Sequence, residues 1–116
     1  DVLMHATDGT LDKVSLDWDR RFALGVVMAA APYPDTPRTG DVIVGLDDVP
    51  ATAKVFHAGT AMKDGQLVAT GGRVLNATAR GATVAEAQAE AYRLADAVEW
   101  ANGFCRRDIG WRAVKR

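Results

Sequence analysis

Two consecutive glycines and an arginine, Gly71, Gly72 and Arg73, are the residues of this chain best suited to chemistry, and that chemistry is anion binding. Glycines leave backbone amides uncovered, and an arginine fork is permanently charged, planar and matched to phosphate or carboxylate. His57, Gly59 and Thr60 lie on the preceding run, which would form the adjacent strand. Each also has a plainer structural reading. The glycines can mark a β-bulge whose arginine pairs with an acidic neighbour, the histidine can be hydrogen-bonded at a sheet rim, and threonine is a good strand former.

Other chemistries are poorly supplied. His5 and His57 are isolated, and Cys105, the one cysteine, has no partner at ligand spacing, so no metal site is expected on this chain. Ser15, the only serine, has no histidine beside it, and Gly71 to Arg73 do not precede the Lys-Ser or Lys-Thr pair of a phosphate-binding loop. No catalytic constellation is expected within these residues.

The candidate residues need a sheet to hold them. Ala53 to Met62 reads as the longest strand, with Asp64 and Gly65 forming the two-residue turn that tolerates positive φ at both positions, and Leu67 to Thr70 returning antiparallel. Arg73 to Ala79 resumes as a strand after the glycine interruption. Upstream, Phe22 to Ala30 is almost continuously apolar and predicts a central strand covered on both faces. The loop that follows carries Pro32, Pro34 and Pro37 around Tyr33, a stiff connection of the kind that often touches ligands. Asp41 to Leu46 predicts a short strand and Asp47 to Pro50 a turn.

One helix is strongly marked. Thr83 and Glu86 have capping-box spacing, and Val84, Ala87, Ala91, Leu94 and Val98 recur three or four residues apart on one stripe. Its alanines suit close packing on the sheet, and Asn102 with Gly103 would stop it. The tail from Phe104 is expected to pack Phe104, Ile109 and Trp111 inward and leave its five basic residues solvated. At the other end, Val2 to Gly9 reads as the last turns of a helix whose beginning is missing, and Val14, Leu16 and Trp18 as a linker lying on the body of the domain. The division expected is 1–17, a helix end and linker from an upstream domain, and 18–116, a β-rich C-terminal domain.

The totals fit one soluble domain of 116 residues, with 14 basic side chains nearly cancelling 15 acidic ones. That balance points to neither nucleic acid nor membrane as partner, and a cytoplasmic location fits a chain with one cysteine and no apolar run of membrane-spanning length.

Several motifs in order carry a family resemblance: GDVI at Gly40 to Ile43, KVFHAGTAMKDGQ at Lys54 to Gln66, GGRVL at Gly71 to Leu75, TVAEAQAEAY in the helix, and RRDIGWR at Arg106 to Arg112. Together they closely resemble the C-terminal domain of the phosphoribosylamine glycine ligases, members of the ATP-grasp ligases. The resemblance implies a mainly β domain with one long helix, a small antiparallel barrel or sandwich as in related biotin carboxylases. It also implies an enzyme that joins glycine to 5-phosphoribosylamine with ATP and magnesium, in purine biosynthesis. ATP and Mg2+ would be held by upstream domains and by nothing on this chain. Carried over by motif, Gly71, Gly72 and Arg73 would hold the phosphoribosyl substrate, with His57, Gly59 and Thr60 as further contacts, and Arg106, Arg107 and Asp108 would form an ion pair fixing the tail. Two positions depart from the family pattern: Pro32, where glycine is more usual, and Asn76, where the residue is usually smaller or apolar. Two competing readings remain at this level. Ala61, Met62 and Lys63 at a turn resemble the lysine of a biotin carrier, although Asp64 replaces its second methionine, and the chain could instead be a stand-alone module for a phosphorylated metabolite.

Overall fold

The computed structural model describes residues 1–47 and 49–115. Asp48, within the expected turn at 47–50, and Arg116, one of the tail's basic residues, lie outside them. The fold is mixed α/β with antiparallel sheets. In chain order the elements are helix α1 (Val2–Asp8), a single 3-10 turn (Leu11–Lys13), strands β1 (Phe22–Ala30), β2 (Ala53–His57), β3 (Thr60–Lys63), β4 (Gln66–Ala69) and β5 (Arg73–Gly81), helix α2 (Val84–Ala97), strand β6 (Gly103–Cys105) and helix α3 (Trp111–Val114). Four strands form a sheet in the order β2-β5-β1-β6, and β3 and β4 form a separate hairpin.

The apolar run of β1 sits second from the edge, between β5 and β6, but it is covered on one face only. Val26 is fully buried whereas its neighbour Val27 is 44% exposed. The expectation of cover on both faces is therefore corrected: α2 occupies one face, and no described element packs over the other. On the covered side Val26 and Met28 of β1 and Leu75, Ala77 and Ala79 of β5 meet Ala87, Ala91, Leu94 and Ala95 of α2, all buried. Alanine on the helix stripe lets the helix axis approach the sheet closely, as the sequence pattern implied.

At the start of α2 the Thr83 hydroxyl accepts from the Glu86 amide at 3.1 Å, and the Glu86 carboxylate reaches back to the Ala82 amide at 3.0 Å. The reciprocal cap is thus displaced by one residue from the usual partner. Thr83→Ala removes the acceptor for an otherwise orphan amide, and we expect a loss of about 1 kcal/mol in a urea melt. An unchanged midpoint would show that the cap contributes nothing.

Four local expectations are corrected. The helix ends at Ala97 rather than at Asn102 and Gly103, because Val98 turns extended and Glu99 exchanges two backbone hydrogen bonds with Val44, at 2.8 and 2.9 Å. For the same reason 41–46 is no continuous strand but two isolated bridges, Val42 to Val68 and Val44 to Glu99. The long strand breaks into β2 and β3 at Ala58 and Gly59, whose amides both donate to the Val74 carbonyl, at 2.9 and 3.1 Å. Finally, the linker and tail are more open than expected: Leu16 and Trp18 are exposed at 55% and 83%, and Phe104 and Trp111 at 41% and 44%. Phe104 belongs to β6, where pairing with Ala29 fixes it on the uncovered sheet face. The turn at Asp64 and Gly65 is as the sequence indicates, with φ of 52° and 78°.

Candidate functional site

Strand parity decides what the uncovered sheet face carries. Along most of their length β5 and β1 pair residue for residue, Thr78 opposite Gly25, Asn76 opposite Val27 and Leu75 opposite Met28. The register then shifts, and Ala29 faces Arg73. This bulge gives β5 one extra residue, so Arg73 and Asn76, three apart in sequence, stand on the same face. Their partners Ala29 and Val27 are two apart, the normal same-face interval of about 6.6 Å. Without the bulge the two side chains would point to opposite sides of the sheet.

Arg73 and Asn76 line a cleft of about 580 Å³ with Val27, Tyr33, Ala58 and Gly72. Arg73 and Tyr33 also border an adjoining, more apolar hollow of about 410 Å³ that includes Phe104, Cys105 and Arg106. Among the described residues no carboxylate lies within ion-pair distance of Arg73. The bulge of the structural reading is present; the acidic partner it supposed is not. Lys54, on the same face across from Thr78, lies 4.9 Å from the Phe56 ring centroid and likewise has no carboxylate partner among the described residues. Among the described residues this face therefore carries two positive charges without a carboxylate partner, Arg73 at the cleft and Lys54 beyond it.

The glycines serve close approach. A Cβ on Gly72 would stand 2.8 Å from the Tyr33 ring, so the proline-rich loop seats its tyrosine directly on the glycine pair. A Cβ on Gly59 would fall 2.7 Å from the Arg73 carbonyl oxygen, so Gly59 lets β2's continuation press against the backbone that carries Arg73. Gly71 packs beside Gly59, where an added Cβ would be 3.8 Å from the Gly59 Cα. These three glycines and Arg73 form one backbone cluster.

His57 and Thr60 are placed elsewhere. His57 is opposite the buried Leu75, so it points to the other side of the sheet from Arg73. There its Nδ1 lies 3.0 Å from the Thr60 hydroxyl, and the ring lines a separate hollow with Val42 to Asp47 and Met62. Lys63 stands exposed at the β3 end of the hairpin.

The RRD segment is structural in geometry. Arg106 pairs with Asp108 at 2.8 Å, and Arg107 reaches Asp96 of α2 at 2.7 Å while its guanidinium lies over the Tyr92 ring. The Tyr92 hydroxyl donates to the Arg106 carbonyl at 2.7 Å and accepts from the Ile109 amide at 3.0 Å, tying the tail to the helix. The Asp108 hydrogen bond raises the Arg106 pKa further, and that same bond holds the Asp108 carboxyl below its ordinary value. Burial pushes the Cys105 thiol upward, which leaves it protonated at neutral pH and a poor nucleophile.

Sequence reasoning missed Asn76, Thr78 and Lys54 as members of this face. Only the register of β2, β5 and β1 reveals them: Lys54 opens one of the sequence motifs and Asn76 departs from the family pattern, but neither fact says which face of the sheet they share. Among the described residues no group of three or more His, Cys, Asp or Glu side chains gathers to hold a metal ion, and no helix is long and apolar enough to cross a membrane.

Comparison with known proteins gives a consistent result. Residues 23–112 match the family model described as phosphoribosylglycinamide synthetase, C domain. The chain is 56% identical over its whole length to a phosphoribosylamine–glycine ligase of Xanthomonas campestris, and 57% identical over 99% of its length to one of Agrobacterium fabrum. It spans 27% of the length of each of those relatives. A crystal structure of phosphoribosylamine–glycine ligase from Thermotoga maritima superimposes with a TM-score of 0.74 at 38% identity, covering 92% of this chain and 27% of that one.

Proposed function

Because the chain belongs to the phosphoribosylglycinamide synthetase C-domain family, we propose that it is the C-terminal domain of an ATP-dependent ligase joining glycine to 5-phosphoribosylamine in purine biosynthesis. The observation that carries this reading is Arg73, held on the open sheet face without a carboxylate partner among the described residues and bordered by Tyr33 and Gly72. A phosphate is one of the two anions that such a planar donor fork matches, and the one a phosphoribosyl substrate carries. In this proposal Arg73 takes the substrate phosphate, Gly71 and Gly72 keep the cleft floor low, and Gly59 fixes the arginine's backbone from behind. The domain works by positioning, with no proton transfer assigned to it.

His57, which lines a different hollow, and Thr60, whose hydroxyl lies 3.0 Å from its ring, form a second contact surface in this reading, used by the enclosing protein rather than by the phosphate. ATP and magnesium are assigned in this proposal to upstream domains of the parent protein. Residues 1–17 are assigned to the connection from those domains, and the β-rich remainder, in which the Val42 to Val68 bridge ties the 41–46 segment to the hairpin, to a small antiparallel barrel or sandwich. The parent is placed in the cytoplasm.

The test is turnover. A parent protein containing this chain should release ADP and phosphate only when ATP, glycine and phosphoribosylamine are all supplied, and should yield glycinamide ribonucleotide. The 116-residue chain alone should release none. Turnover by the isolated chain, or turnover by the parent that ignores phosphoribosylamine, refutes the proposal.

A further inference from the structure

The geometry points to a second pole in the Arg73 cleft: we infer that Asn76, held by Thr78 over Gly25, binds the sugar hydroxyls of the phosphorylated ligand whose phosphate meets Arg73. This rests on the reading of Arg73 given above and extends it to the sugar.

Three contacts make Asn76 a prepared group. The Thr78 hydroxyl donates to Asn76 Oδ1 at 2.6 Å, which fixes the orientation of the amide. Gly25, directly across β1 from Thr78, supplies the space: a Cβ there would stand 2.7 Å from Asn76 Oδ1 and 3.2 Å from the Thr78 hydroxyl. The side chain is half-buried among Val27, Phe56 and the edge of the cleft, so its rotamer is restricted before any ligand arrives. An amide locked in this way costs little further ordering on binding.

The donor inventory then selects the ligand. Beside the Thr78 bond to Oδ1, Asn76 offers two N–H donors, and Thr78 retains acceptor capacity on its oxygen. Such a pair matches a hydroxyl, which both accepts and donates. A phosphate oxygen only accepts, and it is better served by Arg73. Arg73 and Asn76 line one cleft, with the Asn76 amide lying toward Gly25 and Thr78, so a single elongated ligand carrying a phosphate at one end and hydroxyls at the other can meet both. Val27 and Phe56 flank the polar pair, leaving an apolar surface for the ring's carbon face.

The experiment uses the full-length parent, with ribose 5-phosphate and inorganic phosphate as competitive inhibitors against phosphoribosylamine. Asn76→Ala should raise the inhibition constant of ribose 5-phosphate roughly three- to tenfold, the effect of one or two neutral hydrogen bonds, and leave that of phosphate within about twofold. Thr78→Val, which keeps the strand-compatible shape, should act in the same direction through release of the amide. Arg73→Ala should weaken both inhibitors. If the Asn76 and Thr78 variants leave ribose 5-phosphate unchanged, or weaken phosphate equally, the sugar pole is refuted while the phosphate pole stands. If Arg73→Ala leaves both inhibitors unchanged, the reading of the cleft itself falls, and this inference with it.

Discussion

Arg73→Ala in the full-length parent should raise the Michaelis constant for phosphoribosylamine by roughly ten- to a hundredfold, while that for ATP stays within about twofold. A charge-assisted hydrogen bond is worth about 1.5 to 3 kcal/mol, which converts to that range. The effect should be confined to one substrate because Arg73 is placed in a local cleft rather than in the core: it is exposed at the start of β5 and forms no ion pair among the described residues whose loss would spread through the fold. Arg73→Lys should recover only part of the loss, since an ammonium keeps the charge but not the planar fork. Steady-state kinetics with each substrate varied in turn decides the matter. Equal changes for ATP and phosphoribosylamine would mean that Arg73 supports the enzyme's overall shape instead of a substrate.

Gly45→Ala should cause a large loss of stability. Gly45 has φ of +94°, a conformation that L side chains rarely adopt, and a Cβ there would lie 2.1 Å from the Ala97 carbonyl oxygen. Both the strand-like bridge at Val44 and the end of α2 would have to move, because the obstructing atom is backbone. Strain of about 1 to 3 kcal/mol and overpacking of a similar size add to roughly 2 to 6 kcal/mol. Part of the cost would appear as loss of the paired Val44 and Glu99 hydrogen bonds that end the helix at Ala97. Differential scanning calorimetry of wild type and variant should show a fall in midpoint of at least about 8 °C. A midpoint within a degree or two of wild type would show that the 41–46 segment is not held against the helix end as described. By contrast, Gly65→Ala at the hairpin tip meets nothing within 4 Å, so there the strain is conformational alone.

The two cases mark where local pattern suffices and where it does not. Periodicity along 83–98 and the Thr83 to Glu86 spacing were enough to identify α2, because an amphipathic stripe and a cap depend on residues within one or two turns of each other. The end of the same helix was misread, since the competing hydrogen-bond partner, Val44, lies more than fifty residues away in sequence. Phe22 to Ala30 was legible as a strand interior to its sheet. Its exposed face was not, because continuous apolarity looks the same whether a helix or another domain covers the second side.

At the site the division is equally physical. By itself the sequence determined that Gly71, Gly72 and Arg73 are suited to an anion, that the turn at Asp64 and Gly65 closes a hairpin, and that the ordered motifs resemble one ligase family. These follow from residue chemistry and from local backbone preference. Tertiary structure alone decided that Arg73 has no acidic partner among the described residues, that Tyr33 rests on Gly72, and that His57 and Thr60 turn away from the arginine. It also decided that Asn76 joins Arg73 on one face. That last point depends on a single extra residue in β5, and side chains alternate along a strand, so one bulge reassigns every position beyond it. Such a register is set by pairing with β1, across a sequence separation of about fifty residues, and no local reading of either strand contains it.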